Sequence, residues 1–257
     1  MEGFTLKEVI TAINGEWIGQ TDPTQICPTG GDRDNRTLKK GELFFALPGE
    51  HVDGHQFIDA ALDKGASAVI VSRHWFEEQT QRPSKPLIVV NAPDLAMGDL
   101  ARAYRKQFDI PVIGITGSNG KTTTKDMIAA VLRTQYNTLA TEGNLNNHLG
   151  VPLTLFRLNA QHEVAVIEMG ISNFGEMRYL CDIAQPTIGI ITNVGPTHLE
   201  FLGSVEGVAK AKGELLEYLD ESSMTILNLD DLLLSKERVK VKGRLLGFGI
   251  ERNSQFR

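Results

Sequence analysis

The hydrophobic positions of this chain fall into short continuous runs, separated by stretches of mixed polarity. Continuous apolar runs are typical of parallel strands that are covered on both faces, whereas strict alternation indicates a half-exposed sheet. We predict strands over 43–47, 68–71, 87–90, 112–116, 164–168, 187–192, 224–228 and 244–248, with a weaker pattern near 137–140.

Helical spacing fills the intervals between these runs. Thr5 and Glu8 form a capping-box pattern, which predicts a first helix with Val9, Ile10 and Ile13 turned inward. A second helix follows the turn at 53–55, and a third spans 93–108. The predicted buried stripe of the third helix consists of Leu95, Ala96, Leu100, Ala101 and Tyr104.

Strands that alternate with helices indicate an α/β fold. The segment 109–111 is the best boundary, so we predict a small α/β domain over 1–109 and a second domain over 110–257. Alternation is stricter in the second domain, which predicts a doubly wound, mainly parallel sheet. Ligands of such sheets bind at the carboxyl ends of the strands.

Composition narrows the classes of function. The 257 residues carry a net charge of −6, with 41% hydrophobic and 23% charged residues, which argues against a nucleic-acid partner and fits small-molecule chemistry. We find no apolar run of about 18 residues and no secretory signal. Cys27 and Cys181 lie far apart in the sequence, and we expect reduced thiols in a cytoplasmic protein.

Residues 112–124 carry the most informative motif, in which an apolar strand, a glycine-rich turn and a Lys-Thr pair follow one another. Such a turn lets backbone N–H groups converge on phosphate oxygens at a helix N-terminus. The strict pattern places its first glycine where this chain has Ile115. The alternative is a glycine turn that merely ends a buried strand. The predicted nucleotide-binding residues are Gly117, Ser118, Asn119, Gly120, Lys121, Thr122 and Thr123.

Chemically capable side chains follow other strands of the second domain. Glu168 ends one strand and suits Mg²⁺ coordination, although a carboxylate there can simply cap a helix. His198 follows another strand and could bind a metal or a phosphoryl oxygen, although a lone loop histidine is commonly structural. Asn144, Asn146 and Asn147 offer uncharged donors and acceptors, but asparagines also favour turns.

Lys212 interrupts the apolar stripe of a helix predicted after Ser204. Val205, Val208, Leu215 and Leu219 share this stripe, where an unpaired ammonium is unfavourable. The side chain either extends to the helix edge or points into an active site, where it is neutralised, paired or converted to a carbamate.

Together these segments resemble the Mur ligases of peptidoglycan synthesis. The matching segments are 41–49, 53–55, 114–124, 141–152, 168–176, 192–200 and 211–215. The resemblance implies a small N-terminal α/β UDP-binding domain and an incomplete P-loop ATPase domain. It also implies a ligase that uses ATP and Mg²⁺ to join a carboxylate and an amine through an acyl phosphate. The family member with the most similar motifs joins D-alanyl-D-alanine to UDP-N-acetylmuramoyl-tripeptide, and we expect a monomer.

The resemblance also implies roles for individual residues. Lys121 would hold the β- and γ-phosphates, Thr122 and Glu168 would hold Mg²⁺, and His198 would support a second metal. Lys212, if carbamylated, would supply an anionic metal ligand. The UDP-sugar would be bound by Arg36, Asp53 and His55, and the substrate near the phosphoryl site by Asn144, Asn146 and Asn147.

Two features depart from the family pattern. Asp34-Asn35-Arg36 stands where the family usually has Asp-Ser-Arg, and family members continue well beyond Arg257. We therefore expect a C-terminally truncated chain without the third domain. The alternatives are a non-catalytic fragment that binds ATP or UDP-sugar, and another ligase on the same scaffold, such as a folate polyglutamylating enzyme.

Overall fold

The computed structural model describes residues 1–49, 52–80 and 85–250. The chain divides into two compact units: Met1–Gln107 with Leu155–Ala160, and Phe108–Thr154 with Gln161–Arg257. Residues 251–257 of the predicted second domain lie outside the described residues. Among the described residues, no helix has the length and apolar character needed to cross a bilayer.

The first unit is a five-stranded sheet with flanking helices. Its elements are α1 (Leu6–Ala12), β1 (Glu16–Trp17), β2 (Gly31–Asp32), β3 (Leu43–Phe45), α2 (Ile58–Asp63), β4 (Ala68–Ser72), α3 (Arg73–Glu77), β5 (Leu87–Val90) and α4 (Pro93–Arg105), with 3₁₀ turns at Pro23–Gln25 and Gly54–Phe57. The strand order is β1-β5-β4-β3-β2, and only the β1–β5 pair is antiparallel.

The capping box at Thr5 is confirmed, because the Thr5 side chain accepts from the Glu8 N–H and the Glu8 side chain from the Thr5 N–H. The predicted stripe of α4 is wrong at Leu95, which is 53% exposed, whereas Met97 is fully buried. A register shared with Leu100, Ala101 and Tyr104 turns Met97 inward and Leu95 outward. The helix also ends at Arg105 rather than at residue 108.

The second unit is built on a six-stranded sheet, and all of its strand pairs are parallel. Its elements are β6 (Val112–Thr116), α5 (Lys121–Leu132), β7 (Thr138–Ala140), α6 (Gly150–Leu155, which reaches the division between the units), β8 (Val164–Glu168), α7 (Glu176–Ala184), β9 (Ile188–Ile191), α8 (Leu199–Leu202), α9 (Val205–Tyr218), β10 (Met224–Asn228), α10 (Leu232–Glu237) and β11 (Arg244–Phe248). The strand order is β11-β10-β9-β6-β8-β7.

Helices cover both faces of this second sheet, as a doubly wound fold requires. Ile115 and Ile190 pack with Ala129 of α5 on one face. Leu215 of α9 and Leu219, which directly follows that helix, approach Gly189 from the other face, since neighbouring strand residues point in opposite directions. The predicted α/β class with a parallel second sheet is therefore confirmed.

Both cysteines are free thiols. Cys27 is exposed, and Cys181 is buried in α7, where desolvation raises the pKa of its thiol far above the ordinary value. The buried thiol is thus a small apolar side chain rather than a nucleophile.

Candidate functional site

The turn between β6 and α5 leaves backbone N–H groups available for an anion. Gly120 has φ +77° and precedes α5 without any side-chain cap. Gly117 has φ +150°, and a Cβ there would lie 1.9 Å from Thr192 Oγ1. Glycine is therefore required at both positions. The uncapped first turn of α5 combines free N–H groups with the positive end of the helix dipole.

Lys121 already lies over this loop. Its Nζ donates to the Gly117 carbonyl at 2.9 Å and to the Ser118 carbonyl at 3.5 Å. Thr122 and Thr123 follow on the exposed first turn of α5. The loop therefore presents one ammonium, two hydroxyls and the helix N-terminus to the same space.

The segment after β9 holds the loop in place through a dense hydrogen-bond network. Asn193 accepts from the Asn119 N–H through Oδ1 at 2.9 Å and donates to the Asn119 carbonyl through Nδ2 at 3.0 Å. Thr192 Oγ1 also donates to that carbonyl, at 2.7 Å. The Ser118 N–H donates to the Asn193 carbonyl at 3.0 Å, and Gly195 N–H donates to Ser118 Oγ at 2.8 Å. These hydrogen bonds join the segment after β9 to the loop before α5.

His198 directly follows this segment, residues 192–197, which we call the clamping segment. The His198 backbone has φ +52° and forms the N-cap position of α8, and its side chain is exposed. Because β6 lies between β8 and β9, the two strands that flank the β6–α5 turn are the one that ends at Glu168 and the one that His198 follows.

Glu168 is buried at the carboxyl end of β8, with 1% exposure. Its Oε1 accepts from Asn146 Nδ2 at 2.8 Å, and its backbone N–H donates to Thr141 Oγ1 at 3.0 Å. Glu168 Oε2 and Thr116 Oγ1 are buried, and neither has a hydrogen-bond partner among the residues that the structure describes. A buried carboxylate oxygen with no partner is unfavourable unless a ligand supplies one, so these residues fit a divalent cation.

Lys212 lies within α9 with 2% exposure. Burial and then the charge of Lys121 lower the pKa of the Lys212 ammonium to about 8. The predicted position on the apolar stripe is thus correct, and the side chain does not reach the helix edge.

The three predicted asparagines have different surroundings. Asn146 contacts Glu168, whereas Asn147 Oδ1 accepts from the N–H groups of Leu149 and Gly150 and so caps α6. Asn144 is exposed. Across the described ranges, no three His, Cys, Asp or Glu side chains form a metal cluster. The predicted metal set contains only two residues of those types, beside a threonine and a lysine.

The candidate residues of the first unit lie in two separate contacts. The exposed Arg36 guanidinium forms an ion pair with Asp34 at 2.6 Å, and its hydrogen bonds lower the pKa of Asp34 to about 2. Asn35 contributes its carbonyl to the Lys64 ammonium at 2.5 Å.

His55 is buried, and both of its ring nitrogens have partners. Nδ1 lies 2.6 Å from Asp53 Oδ1, and Nε2 accepts the Ser72 N–H at 3.1 Å. The ring stacks on Trp75 at 5.0 Å. Because Nε2 accepts the Ser72 N–H, Nδ1 is the ring nitrogen that donates to Asp53. Burial acts to raise the pKa of Asp53, but the hydrogen bonds from His55 outweigh it and the pKa is lowered.

Sequence patterns did not predict Thr116, Thr141, Thr192 or Asn193 as site residues. Thr116 ends β6, Thr141 and Thr192 directly follow β7 and β9, and Asn193 is the second residue after β9. That position was the available signal, because side chains at the carboxyl ends of parallel strands meet at one edge.

Comparisons with known proteins identify relatives of both units. Residues 115–257 match the Mur ligase middle domain, and residues 33–105 match the Mur ligase family, catalytic domain. A UDP-N-acetylmuramoyl-tripeptide–D-alanyl-D-alanine ligase of Synechocystis sp. is 43% identical over 85% of this chain and 48% of its own length.

Solved structures agree with this relationship. The crystal structure of MurF from Acinetobacter baumannii is 33% identical, with a TM-score of 0.84 over 96% of this chain and 53% of that one. MurF ligase from Thermotoga maritima in complex with ADP is 33% identical, with a TM-score of 0.77 over 87% and 51%. The chain spans about half the length of the curated relatives it matches. The middle-domain match covers more than half of this sequence, and the chain therefore belongs to the Mur ligase family.

Proposed function

We propose that this chain carries the nucleotide-binding and UDP-sugar-binding parts of an ATP-dependent ligase. The ligase joins D-alanyl-D-alanine to UDP-N-acetylmuramoyl-tripeptide through an acyl phosphate. The observation that carries the proposal is the uncapped start of α5, with Lys121 above the loop and a buried Glu168 oxygen without a partner. The names of the relatives supply the substrates.

Phosphoryl transfer needs positioning and charge neutralisation more than covalent chemistry from the protein. The N–H groups of residues 120–123 bind the phosphates, since those of Ser118 and Asn119 already donate to Asn193. Lys121 Nζ moves from the loop carbonyls to the β- and γ-phosphate oxygens. A carboxylate oxygen of the substrate then takes the γ-phosphoryl group, and ADP leaves. The free amine of D-alanyl-D-alanine attacks the acyl carbon and forms the C–N bond. The C–O bond to the phosphoryl group breaks, inorganic phosphate leaves, and the amine nitrogen loses one proton.

The metal site involves the side chains around the loop. Thr122 and Glu168 would hold Mg²⁺, and His198 and a carbamylated Lys212 would support a second cation. When bound, Mg²⁺ neutralises charge on the phosphates. Asn146 orients Glu168 by occupying its Oε1, which leaves Oε2 for the cation.

The burial of Lys212 and its lowered pKa support carbamylation of this side chain. The neutral amine attacks CO₂, an N–C bond forms and one proton is released, so a buried cation becomes an anion. A pKa of about 8 leaves a substantial neutral fraction at neutral pH. Exposure to ¹³C-bicarbonate should yield a protein carbamate resonance that Lys212→Met abolishes. If both proteins give the same spectrum, this part of the proposal is wrong.

The UDP-sugar site lies in the first unit. Arg36 offers an exposed guanidinium to the diphosphate, and Asp53 offers a carboxylate of which 43% of the side chain is exposed. Both ring nitrogens of His55 are hydrogen-bonded, one to Asp53 and one to the Ser72 N–H, so the role of His55 is to orient Asp53. Asn144 and Asn147 contact the acyl substrate near the phosphoryl site.

Product analysis tests this proposal. The chain is incubated with Mg·ATP, UDP-N-acetylmuramoyl-tripeptide and D-alanyl-D-alanine, and the amide is sought by mass spectrometry. Amide formation that needs all three substrates supports a ligase. Binding of ATP or UDP-sugar without product supports the binding-fragment alternative. Turnover with folate and glutamate, without turnover of the UDP-sugar, contradicts the proposal.

A further inference from the structure

The segment that follows β10 contacts the loop beside the phosphate site. Asn228 Nδ2 donates to the Thr192 carbonyl at 3.1 Å. The Val194 N–H donates to Asp231 Oδ2 at 2.7 Å, which joins residues 37 positions apart. None of these contacts belongs to the nucleotide-binding motif itself.

The two carboxylate oxygens of Asp231 have different tasks. Oδ1 accepts from the N–H groups of Leu233 and Leu234 at 2.9 and 3.1 Å, so it caps α10. Oδ2 is left for Val194. A helix cap alone needs only one oxygen, so the second contact is an additional function of this side chain.

The Val194 contact leads directly to the phosphate loop. Val194 lies between Asn193 and Gly195. The Asn193 side chain accepts from the Asn119 N–H and donates to the Asn119 carbonyl, and the Gly195 N–H donates to Ser118 Oγ. Fixing the Val194 N–H therefore fixes the segment that clamps Ser118 and Asn119. The same segment continues to His198.

We propose that Asp231 is a positioning residue for the nucleotide site, acting through Val194 on the clamping segment 192–197 and the loop 117–120. The inference rests on the proposed function, because it concerns how that site is held. The side-chain hydrogen bonds described for Asp231 go to Val194, Leu233 and Leu234, and none of them goes to loop 117–120. The effect of Asp231 is on the geometry of the N–H groups that receive the phosphates, which must be held closely for binding.

Two substitutions distinguish the contact of Asp231 with Val194 from its role as the cap of α10. Asp231→Ser keeps a good N-cap oxygen, but one hydroxyl on a short side chain cannot also reach Val194. Asp231→Ala removes both functions. We expect α10 to keep its amide protection in the serine variant and to lose it in the alanine variant.

Hydrogen exchange provides a readout that needs no nucleotide. In both variants, peptides covering 116–121 and 192–198 should exchange faster than in the unmodified chain. Titration with Mg·ADP should then give a dissociation constant raised about tenfold in both variants, the effect of losing one hydrogen bond to a charged group.

The outcomes are distinct. If the serine variant exchanges and binds Mg·ADP like the unmodified chain, Asp231 is only a helix cap and the inference is wrong. Faster exchange with unchanged affinity also overturns it. If the unmodified chain itself binds no Mg·ADP, the proposed function fails, and the exchange data alone decide whether Asp231 braces the loop.

Discussion

The buried Lys212 allows the charge state of a side chain in the second unit to be tested through stability. Burial and the charge of Lys121 lower the pKa of the Lys212 ammonium to about 8, so the charged form is disfavoured in the folded state. Below pH 8 both folded and unfolded chains carry the proton, and the folded state bears the full penalty. Between pH 8 and the unfolded value of 10.5, the unfolded state binds more protons, so stability rises with pH.

Lys212→Met should therefore stabilise the chain in CO₂-depleted buffer. We expect the free energy of unfolding to rise by about 1–3 kcal/mol at pH 7. The gain should shrink as the pH rises through 8 towards 10.5. Urea denaturation at several pH values measures it, with the exposed Lys210→Met as the control. A gain that is constant or grows with pH contradicts the assigned charge state.

His55 is expected to be structural in its own right. Its ring joins Asp53 to the Ser72 backbone and stacks on Trp75. His55→Ala should lower the free energy of unfolding by about 2–4 kcal/mol, because it leaves a cavity and removes the acceptor of a buried N–H. His74, whose side chain is 87% exposed, provides the control. Equal urea midpoints for His55→Ala and His74→Ala would show that the ring is not a structural support.

The sequence predicted residues whose chemistry is local and missed those whose role is long-range. Lys121 and Thr122 are recognisable from neighbours along the chain, and Lys212 from helical spacing. Asp231 and Asn228 act on residues more than 30 positions away through backbone groups. No local pattern encodes such a contact, because backbone N–H and carbonyl groups are present at nearly every residue.

At the scale of elements, the junction of β6, the glycine turn and α5 depends on backbone shape. Gly117→Ala should lower the free energy of unfolding by about 2 kcal/mol or more, since its Cβ would overlap Thr192 Oγ1. Gly195→Ala is the matched control, because a Cβ there has its nearest neighbour at 3.6 Å. Urea denaturation compares the two variants. Similar losses at both positions would refute the steric reason given for Gly117.

Element prediction succeeded where burial decides structure. The strands over 87–90, 112–116, 164–168, 224–228 and 244–248 have the predicted bounds. The two-residue strands β1 and β2 were not predicted, because a pair of residues has no periodicity of its own. Their pairing with β5 and β3 is a property of the assembled sheet. Leu95 was wrongly predicted to be buried, because an apolar stripe through Leu95 and one through Ala96 fit the helical spacing of α4 equally well.

At the scale of the whole molecule, the division of the chain is discontinuous. The predicted first domain ends at residue 109, whereas the first unit also contains Leu155–Ala160. Phe156 stacks on Phe45 at 5.9 Å, and Tyr104 donates to the Leu158 carbonyl at 2.7 Å. These contacts connect distant parts of the sequence, so composition and periodicity cannot reveal them.

Tyr104→Phe should weaken the attachment of this segment to the first unit. The hydroxyl also accepts the Glu2 N–H at 2.9 Å, so its removal leaves two backbone groups without this partner. We expect a loss of about 1–3 kcal/mol in the free energy of unfolding. Tyr136→Phe is the control, because Tyr136 is 44% exposed. If the two variants have equal stability, the hydroxyl does not hold the segment.

The proposed function requires the second unit to bind a nucleoside triphosphate through the turn before α5. Calorimetric titration of this chain with Mg·ATP tests it most directly, together with Lys121→Ala and the exposed Lys106→Ala. The account predicts saturable binding that Lys121→Ala weakens at least about tenfold, since an ammonium–phosphate contact is lost, and that Lys106→Ala leaves unchanged. Absence of binding, or equal affinity in Lys121→Ala, would contradict it.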